Sequence, residues 1–327
     1  MLKGEKMVRL PKNFIDTIKS LHKKEGETWL SEFESLVQYC EKRWNMEILE
    51  PYELSYNFVA PGIMKNGEKV VVKLVVPSDQ GYLNELSALK TFNGNGIARL
   101  IDEEVSRGVM ILECLLPGKQ LASIIDDQKA TVIMSKVMKE LWVEAPTEST
   151  MPTLLEREQE VKDILMKNPK GLGPISREML TEVVNLFHYL NGTIKKHYLL
   201  HGDLHHYNVL SAGDKWLAID PKGLIGEREY DVIQFLFNKM PDENRKDVLY
   251  KRINILVDEL NLNEERVLLW GYCHSVLALC WYIEGFGKSM ESVEETIHGF
   301  KELYCSLYGG FDEKLLGMRE NFFSCEK

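Results

Sequence analysis

Between residues 12 and 45 the apolar residues recur at helical spacing: Phe14, Ile15, Ile18 and Leu21, then Trp29, Leu30, Phe33, Leu36, Val37 and Cys40. This pattern predicts two helices with a break near Gly26. From Pro51 the texture changes to short β-rich runs, "YELSYNFV", "GIM" and "EKVVVKLVV", the last two separated by Asn66-Gly67. An Asn-Gly pair in that position signals a tight hairpin, because both residues reach positive φ at little cost. A helix is expected from about 79 to 92, with Leu83, Leu86 and Leu89 on one face, followed by two more strand-like runs, "IARLIDEEV" and "VMILECLL". Pro117-Gly118 closes that β-rich part. Beyond it helical periodicity dominates, over roughly 128–143, 153–167, 177–197, 229–239, 243–260, 264–286 and 290–307. One small hairpin interrupts these helices, "NVLS" and "KWLAID" around Ala212-Gly213-Asp214.

Composition narrows the classes. With 327 residues and 44% apolar content the chain can bury a large core, and its length suits one bilobed domain or two ordinary ones. A formal net charge of −10 argues against a nucleic-acid binder, which needs a basic face to displace counterions from phosphates. It suits a cationic partner, although solubility accounts for it equally well. The opening residues carry charges without an apolar run behind them, and the apolar run Val276–Ile283 is too short to cross a bilayer. A cytoplasmic protein without a membrane partner is expected. The six cysteines form no C-x-x-C pair and no zinc-like cluster, so free thiols are expected.

The chemistry concentrates in "HGDLHHYN" (201–208) and "WLAIDPKG" (216–223). Asp203 and Asn208 lie in a loop after a long helix, and Asp220 ends the second strand of the hairpin. Phosphoryl transfer calls for these groups: one carboxylate to take the attacking hydroxyl's proton, with an amide oxygen and a second carboxylate to hold magnesium.

"HGDLHHYN" resembles the catalytic loop of protein-kinase-like small-molecule kinases, and "IDPKG" stands where that fold has Asp-Phe-Gly. The resemblance implies Asp203 as catalytic base, Asn208 and Asp220 as Mg2+ ligands, and His201 as organiser of the loop. It also implies an ATP-contacting lysine on the third strand and a helix glutamate paired with it, which fall on Lys73 and Glu85. The purine-binding hinge falls on Glu113, Cys114 and Leu115. The phosphate loop falls on 54–58, "LSYNF", which lacks the usual glycines and offers Ser55 and Asn57 instead.

The finer resemblance is to the aminoglycoside 6-phosphotransferase and hydroxyurea phosphotransferase family, which includes streptomycin 6-kinases. It rests on the helical entry, on "HGDLHHYNVL" and above all on "WLAIDPKGLIGEREYD". The implied fold is α+β: a bilobed protein-kinase-like fold with a small β-rich N-lobe, a larger mainly helical C-lobe and an N-terminal helical extension. The corresponding boundaries are 1–50 for the extension, 51–117 for the nucleotide-binding lobe and 118–327 for the helical lobe. The implied activity is ATP- and Mg2+-dependent phosphorylation of a hydroxyl on a streptomycin-like aminocyclitol. The alternatives are a kinase of another small metabolite or sugar, and a silent nucleotide-binding relative.

Guanidinium groups on such a substrate would pair with acids. Glu227, Glu229, Asp231 and Glu284 are the candidates, although an acid at a helix start, as at Asp231, is often a cap. Lys222 either neutralises phosphate or holds its loop, and His205 braces the loop's backbone. His206 reads as an exposed turn residue, whereas Trp270, Tyr272, Trp281 and Tyr282 read as core.

Overall fold

The computed structural model describes residues 9–311. They fall into two compact units, one taking the chain up to Lys119 plus Ser211–Ile219, the other taking Gln120–Leu210 and everything from Asp220 onward. In chain order the first part contains α1 (Lys12–Arg43), β1 (Met46–Ile48), β2 (Phe58–Met64), β3 (Lys69–Leu74), α2 (Gln80–Phe92), β4 (Leu100–Glu104), β5 (Val109–Glu113) and β6 (Pro117–Gln120). The chain continues through α3 (Asp127–Leu141), β7 (Val143–Glu144), α4 (Leu154–Lys167), β8 (Gly171–Leu172), β9 (Ile175–Ser176), α5 (Arg177–Gly192) and β10 (Tyr198–Leu200). It ends with β11 (Val209–Ala212), β12 (Lys215–Ala218), β13 (Leu224–Gly226), α6 (Arg228–Asp231), α7 (Ile233–Phe237), α8 (Arg245–Leu260), α9 (Glu264–Phe286) and α10 (Glu291–Tyr308).

The first unit is built on an antiparallel sheet ordered β1-β2-β3-β5-β4. Its hairpin turns at Asn66-Gly67 as expected, with Gly67 at φ 87° and its N–H donating to Met64 O at 2.8 Å. Val70, Val72 and Leu74 of β3 share one core with Phe14, Trp29, Phe33 and Val37 of α1. The N-terminal helix therefore belongs to this unit, where it seals one face of the sheet. Because side chains alternate along a strand, Val71 and Lys73 point to the opposite face. α1 is interrupted at Lys23 (φ 50°), three residues before the expected break at Gly26.

Two strand expectations need correction. Residues 52–57 are not a strand; β1 lies earlier, and Phe58–Met64 is one strand that passes straight through Pro61. Pro61 is tolerated because its missing N–H falls where β1 gives out: Ile48 pairs with Gly62, and beyond it single backbone bonds follow, Leu49 N–H to Pro61 O at 2.8 Å and Tyr52 N–H to Val59 O at 3.0 Å. The β11–β12 hairpin also belongs here. Lys119 N–H donates to Ser211 Oγ at 2.9 Å, and Ala218 exchanges backbone hydrogen bonds with Ala98 and Gly96.

The second unit is mainly helical. α9 is long and apolar enough to cross a membrane, but 72% of its apolar window is buried inside the protein, with Trp270 and Tyr272 at 0% exposure. It is the unit's core helix. α5 stops at Gly192 rather than 197, and the span expected as one helix over 229–239 is split into α6 and α7. An unexpected sheet ordered β13-β10-β7 follows from Tyr198–Leu200. Of the cysteines described, Cys40, Cys273 and Cys280 are buried, Cys114 is half-buried and Cys305 exposed, all as free thiols; Cys325 lies outside the described residues.

Candidate active site

In the first unit Lys73 leaves β3 on the face away from α1 and meets Glu85 of α2. Its Nζ lies 2.7 Å from both carboxylate oxygens, and the two residues are 4% and 5% exposed. α2 is set by Asp79, whose side chain accepts the N–H of Tyr82 at 3.0 Å, so Glu85 sits in the second turn of a capped helix. An ion pair at this depth is costly to desolvate and adds little net stability, so its presence points to function more than to folding. Ser55 is exposed and Asn57 half-buried in the loop between β1 and β2. Glu113 ends β5 and pairs with Arg99 (Oε2 to Nε 3.3 Å), while Leu115 beyond it is buried.

In the second unit the loop 201–208 is carried by β10. That strand pairs with β13 in the register Leu200↔Leu224, Leu199↔Ile225 and Tyr198↔Gly226, which lays "HGD" beside "PKG". Lys222 N–H then donates to His201 O at 2.8 Å. Gly202 has φ 80°, and a Cβ there would stand 3.2 Å from Leu224 Cβ, so glycine fits both the backbone and the space.

Asp231 anchors this loop. Its carboxylate accepts the N–H of His201 (3.0 Å), the N–H of Gly202 (2.8 Å) and Trp142 Nε1 (2.9 Å), and the residue is 2% exposed. Its pKa is raised by burial, which outweighs these three donors. The candidate substrate acid is thus occupied by the backbone of the loop 201–208, a role that sequence reasoning did not assign. The only sequence signal is an acid at a helix end soon after the loop.

Asp203 sits next to this anchor. Burial lifts its pKa from the usual carboxylate range to about 6; Lys222 opposes the rise, while Asp220 and Asp231 add to it. A carboxylate with such a pKa is ionised near neutrality yet basic enough to take a hydroxyl proton. His205 Nε2 lies 3.7 Å from Asp203 Oδ1, and its Nδ1 accepts Tyr207 N–H at 3.2 Å. Burial, then Lys222, lowers the His205 pKa, which keeps the ring neutral.

Asn208 donates its amide N–H to Asp203 O at 3.0 Å, a bond that does not use its side-chain oxygen. Asp220 is held at φ 60°, a left-handed conformation uncommon outside glycine and concentrated at functional sites. Its Oδ2 accepts Lys222 Nζ at 2.7 Å. Asn208 and Asp220 provide hard oxygen donors and, among the described residues, no group of three or more His, Cys, Asp or Glu could hold a metal. Such a donor set suits Mg2+, which often takes one or two protein oxygens and completes its shell with phosphates and water.

The remaining candidates divide. Glu227 is 7% exposed, with its carboxylate on Arg266 Nε (2.7 and 3.0 Å) and on Trp270 Nε1; burial raises its pKa against these partners. Glu229 is half-buried and accepts Asn263 N–H at 3.1 Å, whereas Glu284 is exposed. His206 overturns its expectation as an exposed turn residue. It is 1% exposed and stacks on Phe235 with ring centroids 4.2 Å apart. Arg252 in turn holds Phe235 O and pairs with Asp127.

A family model described as aminoglycoside/hydroxyurea antibiotic resistance kinase matches residues 53–285. The chain is 26% identical to a streptomycin 6-kinase from Streptomyces glaucescens over 299 residues, covering 89% of this chain and 96% of that one. It is 27% identical to a hydroxyurea phosphotransferase from Kitasatospora aureofaciens over 253 residues, 74% and 71% of the two chains. Among solved structures it is similar to a thermostable mutant aminoglycoside phosphotransferase in ternary complex with ADP and hygromycin B. That match has a TM-score of 0.55 at 10% identity, covers 84% of this chain and 99% of the other, and shows the kinase-like fold.

Proposed function

Because the chain belongs to the aminoglycoside/hydroxyurea antibiotic resistance kinases and is a phosphotransferase acting on hydroxyl groups, we propose that it transfers the γ-phosphate of ATP to a hydroxyl of a streptomycin-like aminoglycoside. The observation that carries this reading is Asp203, a partly buried carboxylate with pKa about 6, fixed beside Asn208 and Asp220 on a loop that Asp231 anchors.

Asp203 accepts the proton of the substrate hydroxyl as its oxygen attacks the γ-phosphorus; the bond to the β-phosphate oxygen breaks and ADP leaves. Lys73, oriented by Glu85, binds the α- and β-phosphates, with Ser55 and Asn57 as further donors and the backbone around Glu113, Cys114 and Leu115 against the purine. Asn208 and Asp220 would hold Mg2+, which supplies neutralising charge to the phosphates when bound. His201 and His205 shape the loop around the base.

A cationic substrate fits the net charge of −10. Glu284 and Glu229 keep carboxylates that face solvent at least in part, so they remain the acids proposed for guanidinium groups, whereas Glu227 and Asp231 already serve internal partners. The enzyme is proposed to work in the cytoplasm, where ATP is supplied. A panel of streptomycin, hydroxyurea and neutral sugars, assayed for ADP release and for product mass, tests the substrate class. Turnover of streptomycin well above that of neutral sugars is expected; preference for a neutral sugar would replace the aminoglycoside reading.

A further inference from the structure

Lys222 stands two residues after a proposed metal ligand and binds it directly, its Nζ 2.7 Å from Asp220 Oδ2. Its backbone is stitched to the catalytic loop through the hydrogen bond from its N–H to His201 O at 2.8 Å, and its Cβ lies close to Gly202. The stem beyond Cβ is half exposed, with side-chain exposures of 48% for Lys222 and 32% for Asp220. The backbone is therefore fixed while the charged end can move. The same ammonium is near enough to Asp203 and His205 to shift both.

Asp203 and Asp220 place two carboxylates in one small site, and like charges so placed repel. Lys222 supplies a cation directly on Asp220, on the carboxylate that would also hold a divalent ion. An ammonium held on that oxygen and a divalent cation on the same carboxylate would repel each other strongly at such separations.

We propose that Lys222 is a built-in stand-in for the metal: it neutralises Asp220 while the site is unloaded and leaves that carboxylate when Mg2+ arrives with the nucleotide. This goes beyond holding the loop, which the Lys222 backbone does already, and it rests on the reading of Asn208 and Asp220 as metal ligands. Lys222 thus weakens metal binding in exchange for a partly neutralised unloaded site. The flexible four-carbon stem lets the displaced ammonium turn to phosphate oxygens without backbone movement.

The test is binding of Mn2+ to the nucleotide-free protein, followed by the loss of free-ion EPR signal. The proteins are the wild type, Lys222→Met, Lys222→Gln, Lys222→Arg and the control Asp220→Asn. Removing the ammonium should tighten Mn2+ binding by about fivefold, the size of a half-exposed ion pair, in both the Met and the Gln variants, while Lys222→Arg stays near the wild type. Unchanged or weaker binding in the Met and Gln variants, with Asp220→Asn still abolishing the wild-type signal, overturns the stand-in role and leaves the metal site intact. Wild-type binding no better than that of Asp220→Asn overturns the metal site and this proposal together.

Discussion

The ammonium of Lys73 touches both carboxylate oxygens of Glu85 at 2.7 Å, with neither side chain more than 6% exposed. Removing one partner leaves the other charge buried, at a cost of about 3 to 5 kcal/mol, whereas replacing both with apolar residues of similar volume is often close to neutral. Lys73→Met and Glu85→Leu should each lower the urea midpoint markedly, and the double variant should recover most of the loss. None of the three should bind nucleotide well. Equilibrium unfolding together with fluorescent-nucleotide titration checks both halves.

Asp231→Asn keeps the shape of the anchor but replaces one accepting oxygen with an NH2 group. At least one of the three donors, His201 N–H, Gly202 N–H and Trp142 Nε1, then loses its acceptor. The expected cost is about 2 to 4 kcal/mol, because a buried donor is left unsatisfied and a hydrogen bond to a charged group is lost. The loop carrying Asp203 loosens with it, so kcat should fall by more than KM changes. If Asp231 instead contacted the substrate, KM would rise and stability would hold.

The fold was legible where the pattern was long enough to show a period. The ten-residue-and-longer helices and the Asn66-Gly67 turn follow from spacing and turn chemistry alone. Strands of two or three residues, such as Val143–Glu144, Tyr198–Leu200 and Leu224–Gly226, cannot display alternation, so the sheet that presents the loop 201–208 was invisible. Pro61 split one strand into two apparent runs, because only the register shows its missing donor to be harmless. In the site, residue types and their order marked Asp203, Asn208, Asp220, Lys73 and Glu85 as candidates. The partner choices of Asp231, Glu227 and His206 depend on Trp142, Arg266 and Phe235, which lie 29 to 89 residues away, and no local pattern carries that information.

His206 and His274 should make the protein acid-sensitive. Burial holds both rings neutral, with pKa values lowered to about 3. In the unfolded chain they titrate near 6.5, so the stabilisation from keeping them neutral is complete above that value and is lost as pH falls from 6.5 toward 3. At pH 5 each contributes a loss of about 2 kcal/mol. Urea unfolding at pH 7.5 and pH 5 should show this drop, and His206→Phe should shrink it by roughly half even if its stability at pH 7.5 is altered. An unchanged drop in that variant would assign the acid sensitivity elsewhere.

The central claim is that Asp203 takes the proton in phosphate transfer to an aminoglycoside hydroxyl. The most direct measurement is transfer of labelled γ-phosphate from ATP to streptomycin by the wild type and by Asp203→Asn, with circular dichroism confirming that both fold. The account predicts a phosphorylated product from the wild type and transfer reduced by at least about a hundredfold in the variant, the scale of a lost general base. Transfer that survives the substitution at near wild-type rate would contradict it.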